Sequence, residues 1–322
     1  MAKKTAEHYD RDDRFAGAIL GTAFGDALGA AVEGWTGEEI VAEYGEVRDY
    51  LDDRLGAGCY TDDTQMTLAT LRSLVRCGGI DGADCARSCA ELFDPARGYG
   101  RSAIEVLLAL ADGADYTATG TLLFAEGSFG NGAAMRIAPV GLLCGTLNPE
   151  QMRSQVFEAV RATHTHEEAI DGALAIAVAV GRLSRLRDAA GLDCSAFLLD
   201  LASHCRTMTM RSRLMLAAIR LDEEIPERDL VDQLGNGVRA LDSVPIALYA
   251  ALKYADDPEL AVVRAVGYGG DADTIAAMTG AMVGALHGAS SFPERWHAGL
   301  ERGDFGYETL RDLSIALAKI AK

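Results

Sequence analysis

What the chain lacks narrows the field first. It has no runs of alternating β-branched residues, no internal repeat, no low-complexity tract and no long linker. A half-buried strand needs alternation at period two, so a sheet-based domain is disfavoured. Proline is scarce, 7 in 322 residues, and with 49% hydrophobic and 24% charged residues the composition is that of an ordinary globular protein. No long apolar run escapes interruption by charge or glycine, so nothing reads as a membrane span. Met1 to Thr5 lead into the charged stretch Glu7 to Asp13 without an apolar h-region. No secretory signal is visible there, and a cytoplasmic location is expected.

Cysteine and positive charge are also short. The 7 cysteines are an odd number with no CxxC pair, which opposes a disulfide framework or a thiolate zinc site. Cys85 and Cys89, one helical turn apart beside Cys77, read as buried or reduced thiols. Lys and Arg number 30 against 48 Asp and Glu, a net charge of -18. Non-specific nucleic-acid binding needs a basic footprint, so the charge argues against it. An anionic small ligand is not, because a divalent cation and aimed backbone N–H groups bind phosphate against an unfavourable global field.

What is present is helical periodicity almost throughout. Apolar residues recur at three- and four-residue spacing over Asp63 to Val75, Ser102 to Leu110, Gln151 to Ala162, Ala196 to His204 and Ala240 to Leu252. Gly172 to Leu183 is apolar nearly all round, as a helix at the centre of a bundle would be. The expectation is one all-α domain from residue 14 to 322, compact and many-helixed, with residues 1–13 frayed. Two segments break the usual rules of helix composition. Gly17, Gly21, Gly25 and Gly29 recur every four residues, as do Gly280, Gly284 and Gly288. Each interior glycine disfavours a helix by roughly 1 kcal/mol relative to alanine. Close backbone approach by another helix or a ligand along that small-residue face is the expected compensation; a loose glycine-rich loop is the alternative.

Carboxylates are concentrated at two junctions. Tyr60-Thr61-Asp62-Asp63-Thr64 stands between a turn and a helical stretch, and Gly269-Gly270-Asp271-Ala272-Asp273-Thr274 precedes another. Residues one or two apart cannot share one face of a regular helix, so each pair works best where irregular backbone meets a helix start. Capping would explain one Asp or Thr per helix, but not the second carboxylate or the doubled glycine. Concentrated carboxylates repel, and a hard cation relieves them. Asp62, Asp63, Asp271 and Asp273, with the hydroxyls of Thr61 and Thr274, form an oxygen-only set that favours Mg²⁺, with Mn²⁺ as substitute, over zinc. Two ions are the usual arrangement for so many carboxylates. Glu33, ending the first small-faced helix, is a candidate carboxylate from a third segment. Asp26, inside that helix, reads as a structural group.

Glu126 to Arg136 is a glycine-rich loop entering a helix, able to aim N–H groups at a diphosphate. It matches neither a P-loop nor a dinucleotide fingerprint. Phe124 and Phe129 flank it as an aromatic wall for a base or as core. In Thr163-His164-Thr165-His166, His164 is the candidate ligand-contacting donor and His166 a bystander at a helix cap.

Together these segments resemble the ADP-ribosylglycohydrolase family: Gly25-Asp26-Ala27-Leu28-Gly29 with Glu33, Tyr60 to Thr64, Arg97-Gly98-Tyr99-Gly100, Gly127 to Arg136, Thr163-His164 and Gly269 to Thr274. They stand in family order over nearly the whole chain. Gly130 to Arg136, Leu234 to Val238 and Asp242-Ser243-Val244-Pro245 look like the branch acting on serine-linked ADP-ribose, poly(ADP-ribose) and O-acetyl-ADP-ribose rather than the arginine-directed branch. The resemblance implies an all-α fold with a two-magnesium site at helix N-termini. It implies metal ligation by Thr61, Asp62, Asp63, Asp271, Asp273 and Thr274, and Glu33 near the distal ribose. Gly127, Ser128, Phe129, Gly130, Asn131 and Gly132, with Gly98, Gly100 and His164, would contact diphosphate and riboses. Phe124, Phe129, Asn236 and Val238 would border the adenosine. Phe129 stands where the branch often carries Tyr, which keeps stacking and loses one hydroxyl contact.

The implied activity is hydrolysis of a ribosyl C1″ linkage, with oxocarbenium character in the transition state and proton transfer by Glu33 or one of Asp62, Asp63 and Asp271. The partner is an ADP-ribose-bearing small molecule or protein, with no nucleic acid and no membrane. Two rivals remain on sequence. An isoprenoid synthase needs carboxylates at i, i+4 along a helix, where this chain has Gln65 and Met66 instead. A non-catalytic binding protein of the crystallin type tends to lose ligands, and here every ligand position is filled.

Overall fold

The computed structural model describes residues 10–187 and 191–322. In chain order its α-helices are α1 (Arg11–Gly29), α2 (Gly37–Tyr44), α3 (Asp62–Cys77), α4 (Gly82–Leu92), α5 (Arg101–Ala111), α6 (Tyr116–Thr119), α7 (Ala138–Cys144), α8 (Pro149–Val160) and α9 (Glu167–Leu183). There follow α10 (Cys194–Ser203), α11 (Met208–Leu221), α12 (Glu227–Leu234), α13 (Ala240–Lys253), α14 (Pro258–Gly267), α15 (Ala272–His287), α16 (Glu294–Gly299) and α17 (Tyr307–Ile320). No strand forms among the described residues; two isolated antiparallel bridges, Thr36 with Gly269 and Gly130 with Arg239, are the β-type pairing. The expected all-α single domain is what folds, and the periodic segments coincide with α3, α5, α8, α10 and α13. Of the start expected to fray, residues 1–13, residues 1–9 lie outside the described part, while Arg11 to Asp13 are helical, with Asp10 accepting the N–H groups of Asp12 and Asp13.

The glycine rows explain the centre of the molecule. A Cβ on Gly17 would strike Gly284 O, one on Gly21 would strike Gly280 O, one on Gly25 Ala276 O, and one on Gly29 Asp273 backbone. Rising numbers on α1 meet falling numbers on α15, so the two helices run antiparallel, backbone against backbone. Gly288 has a different role: it ends α15 at φ +90°, a conformation natural to glycine. Around this pair pack α3, α9, α13, α14 and α17. In α9 every residue from Ala169 to Gly181 is buried, as its all-round apolar character requires.

The sequence reading that no stretch has the makings of a membrane span is corrected for α1. Arg11–Val32 has a mean hydropathy of 1.5 and sufficient length, but 89% of that window is buried within the fold. Glycine every fourth residue interrupts the apolar run without making it polar. All seven cysteines are free thiols, four of them buried.

Candidate active site

Several helices here start with an aspartate that caps in the ordinary way: Asp10, Asp81, Asp193 and Asp257 each accept a backbone N–H from the first turn. The helices that carry the two Asp motifs differ. Thr61 and Asp271 stand at the N-cap positions of α3 and α15, and neither side chain caps. The N-terminus of α3 is closed from outside its own segment. Asp26 on α1 accepts Thr61 N–H at 2.8 Å with one oxygen, and Thr64 N–H at 2.9 Å and Thr64 Oγ1 at 2.5 Å with the other. Asp62 and Asp63 are thereby free for another use, and capping does not account for them.

Converging segments are bolted together by backbone. Gly34 N–H donates to Gly270 O and Gly270 N–H to Trp35 O, both at 2.7 Å. These bonds set Glu33 beside the 269–271 turn. Gly269 and Gly270 lie at φ +67° and +66°; a Cβ on Gly269 would strike Trp35 O, and one on Gly270 would strike Asn236 O. The doubled glycine is thus explained by left-handed backbone in tight contact on both sides.

Six carboxylates meet where α1, α3 and α15 converge. Oxygens of Asp26, Asp63 and Asp273 lie within 4.8 Å of one another, as do those of Glu33, Asp271 and Asp273. Burial, with the charges of Asp26, Glu33 and Asp271 adding to it, raises the Asp62 carboxyl to about 8. Asp63 and Asp273 are pushed well above the carboxylate range, first by burial and then by the neighbouring acids. Asp271 rises to about 6 through burial, against the pull of a hydrogen bond from Asn131. Burial also raises Asp26 to about 6 and Glu33 above its usual value, the latter opposed by Arg54.

The arrangement fits a hard cation. Asp63 Oδ2 accepts the hydroxyls of Thr61 at 3.3 Å and Thr274 at 3.2 Å, while Asp63 Oδ1 is buried with no hydrogen-bond partner. A buried, unpartnered carboxylate oxygen among other carboxylates demands a counter-charge. The donors are all oxygen, which suits Mg²⁺ or Mn²⁺ rather than a soft metal.

Beside the cluster opens a cavity of about 270 Å³. Its wall includes Glu33, Asp62, Asp63, Asp271, Asp273 and Thr274, and also Gly98, Gly100, Phe124, Ser128, Gly130, Asn131, Gly132, His164 and Val238. Four of the expected residues lie elsewhere. Thr61 is buried behind Asp63. Gly127 turns at φ +84° against Thr165 and His166. Phe129 faces outward, its ring between Phe124, His166 and the Arg239 guanidinium. Asn236 is not part of this wall: its Nδ2 donates to Tyr268 O at 2.9 Å and its backbone carbonyl accepts Asp271 N–H at 2.8 Å, so it braces the 269–271 turn from behind.

The glycine-rich loop is also corrected in detail. It enters a three-residue 3₁₀ turn, Asn131–Ala133, and α7 begins only at Ala138 with Pro139 in its first turn. The loop is instead held by a bridge to 238–240: Asn131 N–H to Val238 O at 3.0 Å and Ala240 N–H to Phe129 O at 3.1 Å. Asn131 Nδ2 donates to Ser243 Oγ at 3.1 Å and to Asp271 Oδ2, tying this loop to the carboxylates. His166 caps α9, its Nδ1 accepting Glu168 N–H at 3.2 Å.

Met66, Ser102, Ala103, Val106, Thr119, Gly120, Leu123, Met135, Arg136 and Thr163 complete the wall; Met135, Arg136 and Thr163 lie in motifs the sequence marks but without a contact assigned to them, and the others have no site role in the sequence reading. Met66 follows Asp62 by one turn of α3 and was findable by helical spacing. The α5 and Thr119–Leu123 residues reach the site only through tertiary packing.

The model for ADP-ribosylglycohydrolases matches residues 7–321. An uncharacterized protein of Archaeoglobus fulgidus is 36% identical over 97% of this chain and 99% of its own length. ADP-ribosylhydrolase ARH3 of Bos taurus is 30% identical, covering 95% of this chain and 93% of the relative, and that of Homo sapiens is 28% identical with the same coverage. A solved structure titled ADP-ribosylglycohydrolase-related protein complex superposes with a TM-score of 0.76 at 27% identity, over 97% of this chain and 99% of the other. The chain belongs to the ADP-ribosylglycohydrolase family and is a hydrolase of ADP-ribosyl glycosidic linkages.

Proposed function

We propose that this hydrolase is Mg²⁺-dependent, with two ions, and releases ADP-ribose from serine, from poly(ADP-ribose) or from O-acetyl-ADP-ribose. The carrying observation is the joining of a carboxylate cluster, with its unpartnered Asp63 Oδ1, to a cavity walled by the Ser128–Gly132 loop and His164. One end has excess negative charge that a cation would balance; the other offers neutral donors and backbone to a diphosphate.

Asp62, Asp63, Asp271, Asp273 and Thr274, with Thr61 behind them, would hold the metals, which when bound supply Lewis acidity and balance the carboxylate charge. The chain's own groups do the rest. Asn131 fixes the Asp271 carboxylate. Glu33, exposed at the cavity rim yet raised in pKa by partial burial, would carry a proton to or from the acceptor oxygen as the C1″ bond breaks. Phe124 and Val238 offer apolar surface to the adenine.

The preference for a serine or other neutral oxygen acceptor draws support from Arg54. Its guanidinium lies at Gly98, where an added Cβ would sit 2.8 Å from Nη2, and it acts electrostatically on Glu33. An arginine leaving group would bring a second guanidinium to that rim, whereas a serine hydroxyl would not. Incubation of the protein with serine-linked, arginine-linked and polymeric ADP-ribose, with and without Mg²⁺, tests the reading: release from none of them refutes it.

A further inference from the structure

Arg136 is 1% exposed and forms no ion pair with a carboxylate of the described residues. Burying a guanidinium without a counter-ion is costly, so its contacts call for a use. Nη1 donates to Gly132 O at 2.8 Å, and Nη2 donates to Thr163 Oγ1 at 2.6 Å. Thr163 in turn lies 2.8 Å, Oγ1 to Nδ1, from His164.

A hydroxyl has one proton and two lone pairs, and one lone pair is taken by Arg136. The proton has two acceptors in reach, Val160 O at 3.2 Å and His164 Nδ1 at 2.8 Å. Val160 O already accepts the N–H groups of Thr163 and His164, each at 3.0 Å, one for each of its lone pairs. Nδ1 is both nearer and free. Donation from a cation into Thr163 Oγ1 polarises the hydroxyl and strengthens its own donation. With Nδ1 accepting, a neutral ring carries its proton on Nε2. That nitrogen faces the glycine-rich loop: a Cβ on Gly132 would sit 3.1 Å from it, and one on Gly130 3.6 Å.

We infer that Arg136 and Thr163 are positioning residues that lock His164 as the Nε2–H tautomer, so that it offers the ligand a neutral donor beside the 130–132 loop. Burial, with the Arg136 charge adding to it, holds the imidazole down to about 3; the ring stays neutral, and the tautomer is what the relay sets. The identity of the ligand rests on the function proposed above; the tautomer does not.

Nitrogen NMR of ¹⁵N-histidine-labelled full-length protein with Mg²⁺ reads the tautomer directly, the His164 signals being those absent from His164→Gln. The expected spectrum has a protonated, pyrrole-type Nε2 and a pyridine-type Nδ1; a protonated Nδ1 overturns the relay. ADP-ribose titrations of a double-mutant cycle give the second test. Thr163→Val should weaken binding about tenfold in the His164 background, the scale of one hydrogen bond, and less than about threefold beside His164→Gln, whose amide brings its own N–H. Equal losses in both backgrounds mean a merely structural Thr163 and overturn the inference. If Thr163→Val does not fold, the unmodified protein's spectrum still decides. The expected tautomer without any ADP-ribose binding upholds the relay and refutes the proposed ligand.

Discussion

The carboxylate of Asp26 accepts the backbone N–H of Thr61 at 2.8 Å across 35 residues of sequence, closing the first turn of a helix to which it does not belong. The same helix that lays its glycine face against α15 carries Asp26 to that turn, and Asp62 and Asp63 are released from capping. The close packing of one helix pair and the availability of carboxylates on a third helix are thus one arrangement.

Metal removal is the most direct check. EDTA should abolish turnover, and added Mg²⁺ or Mn²⁺ should restore it, because among the described residues no cationic side chain balances the carboxylates of Asp63 and Asp273. Full turnover after exhaustive chelation would exclude the metal reading.

Stability of the metal-free protein should fall as pH rises. The folded-state values of Asp26 and Asp271, about 6, and of Asp62, about 8, lie above the unfolded value of about 3.8. The folded state then binds more protons, so the contribution is full below about pH 4 and is lost as pH climbs through the folded values to about 8. Thermal melts in EDTA should show a falling midpoint between pH 5 and about 8, with Mg²⁺ raising it most at the alkaline end. A midpoint that climbs over this range in EDTA would contradict the buried-cluster electrostatics.

Glu33→Gln should keep ADP-ribose affinity within a few-fold while turnover drops by roughly 10²-fold or more, the scale of losing a proton-transfer group. Calorimetry and single-turnover kinetics separate the two. Lost affinity with undiminished turnover of bound substrate would make Glu33 a binding residue.

Acceptor choice should favour serine-linked over arginine-linked ADP-ribose by at least about tenfold in kcat/KM, or about 1.4 kcal/mol of transition-state binding. Arg54→Glu should narrow that ratio, since it replaces a repelling charge at the rim with an attracting one. Matched peptides measure both. Equal rates would move the protein to the arginine-directed branch, with fold and carboxylate site unchanged.

Gly21→Ala should cost about 1–3 kcal/mol by overpacking, as its methyl group would strike Gly280 O on α15. Gly79→Ala, with nothing within 4 Å of the added Cβ, serves as the control and should be near neutral. Denaturant unfolding decides; equal effects at both positions would show that α1 and α15 have room to spare.

Local pattern was enough for several of the helices and for most of the carboxylates. Apolar spacing marks α3, α5, α8, α10 and α13 because a helix buries one stripe and repeats every 3.6 residues. The doubled Asp62-Asp63 and Gly269-Gly270 stand out because neither fits a plain helix start. Position in three dimensions was another matter. Sequence spacing cannot tell that Asn236 turns toward Tyr268 rather than the cavity, or that the ring of Phe129 lies outside the cavity wall. It could not reveal that Arg136, inside a recognised loop, points inward to Thr163. Each of these is settled by partners distant in sequence, such as Tyr268 O for Asn236 and Thr163 Oγ1 for Arg136. A buried polar group takes whichever partner the packing of other helices brings within hydrogen-bond reach. Sequence alone therefore determined the helical character of those periodic segments and where charge is concentrated; the antiparallel contact of α1 with α15 decided which of those charges meet.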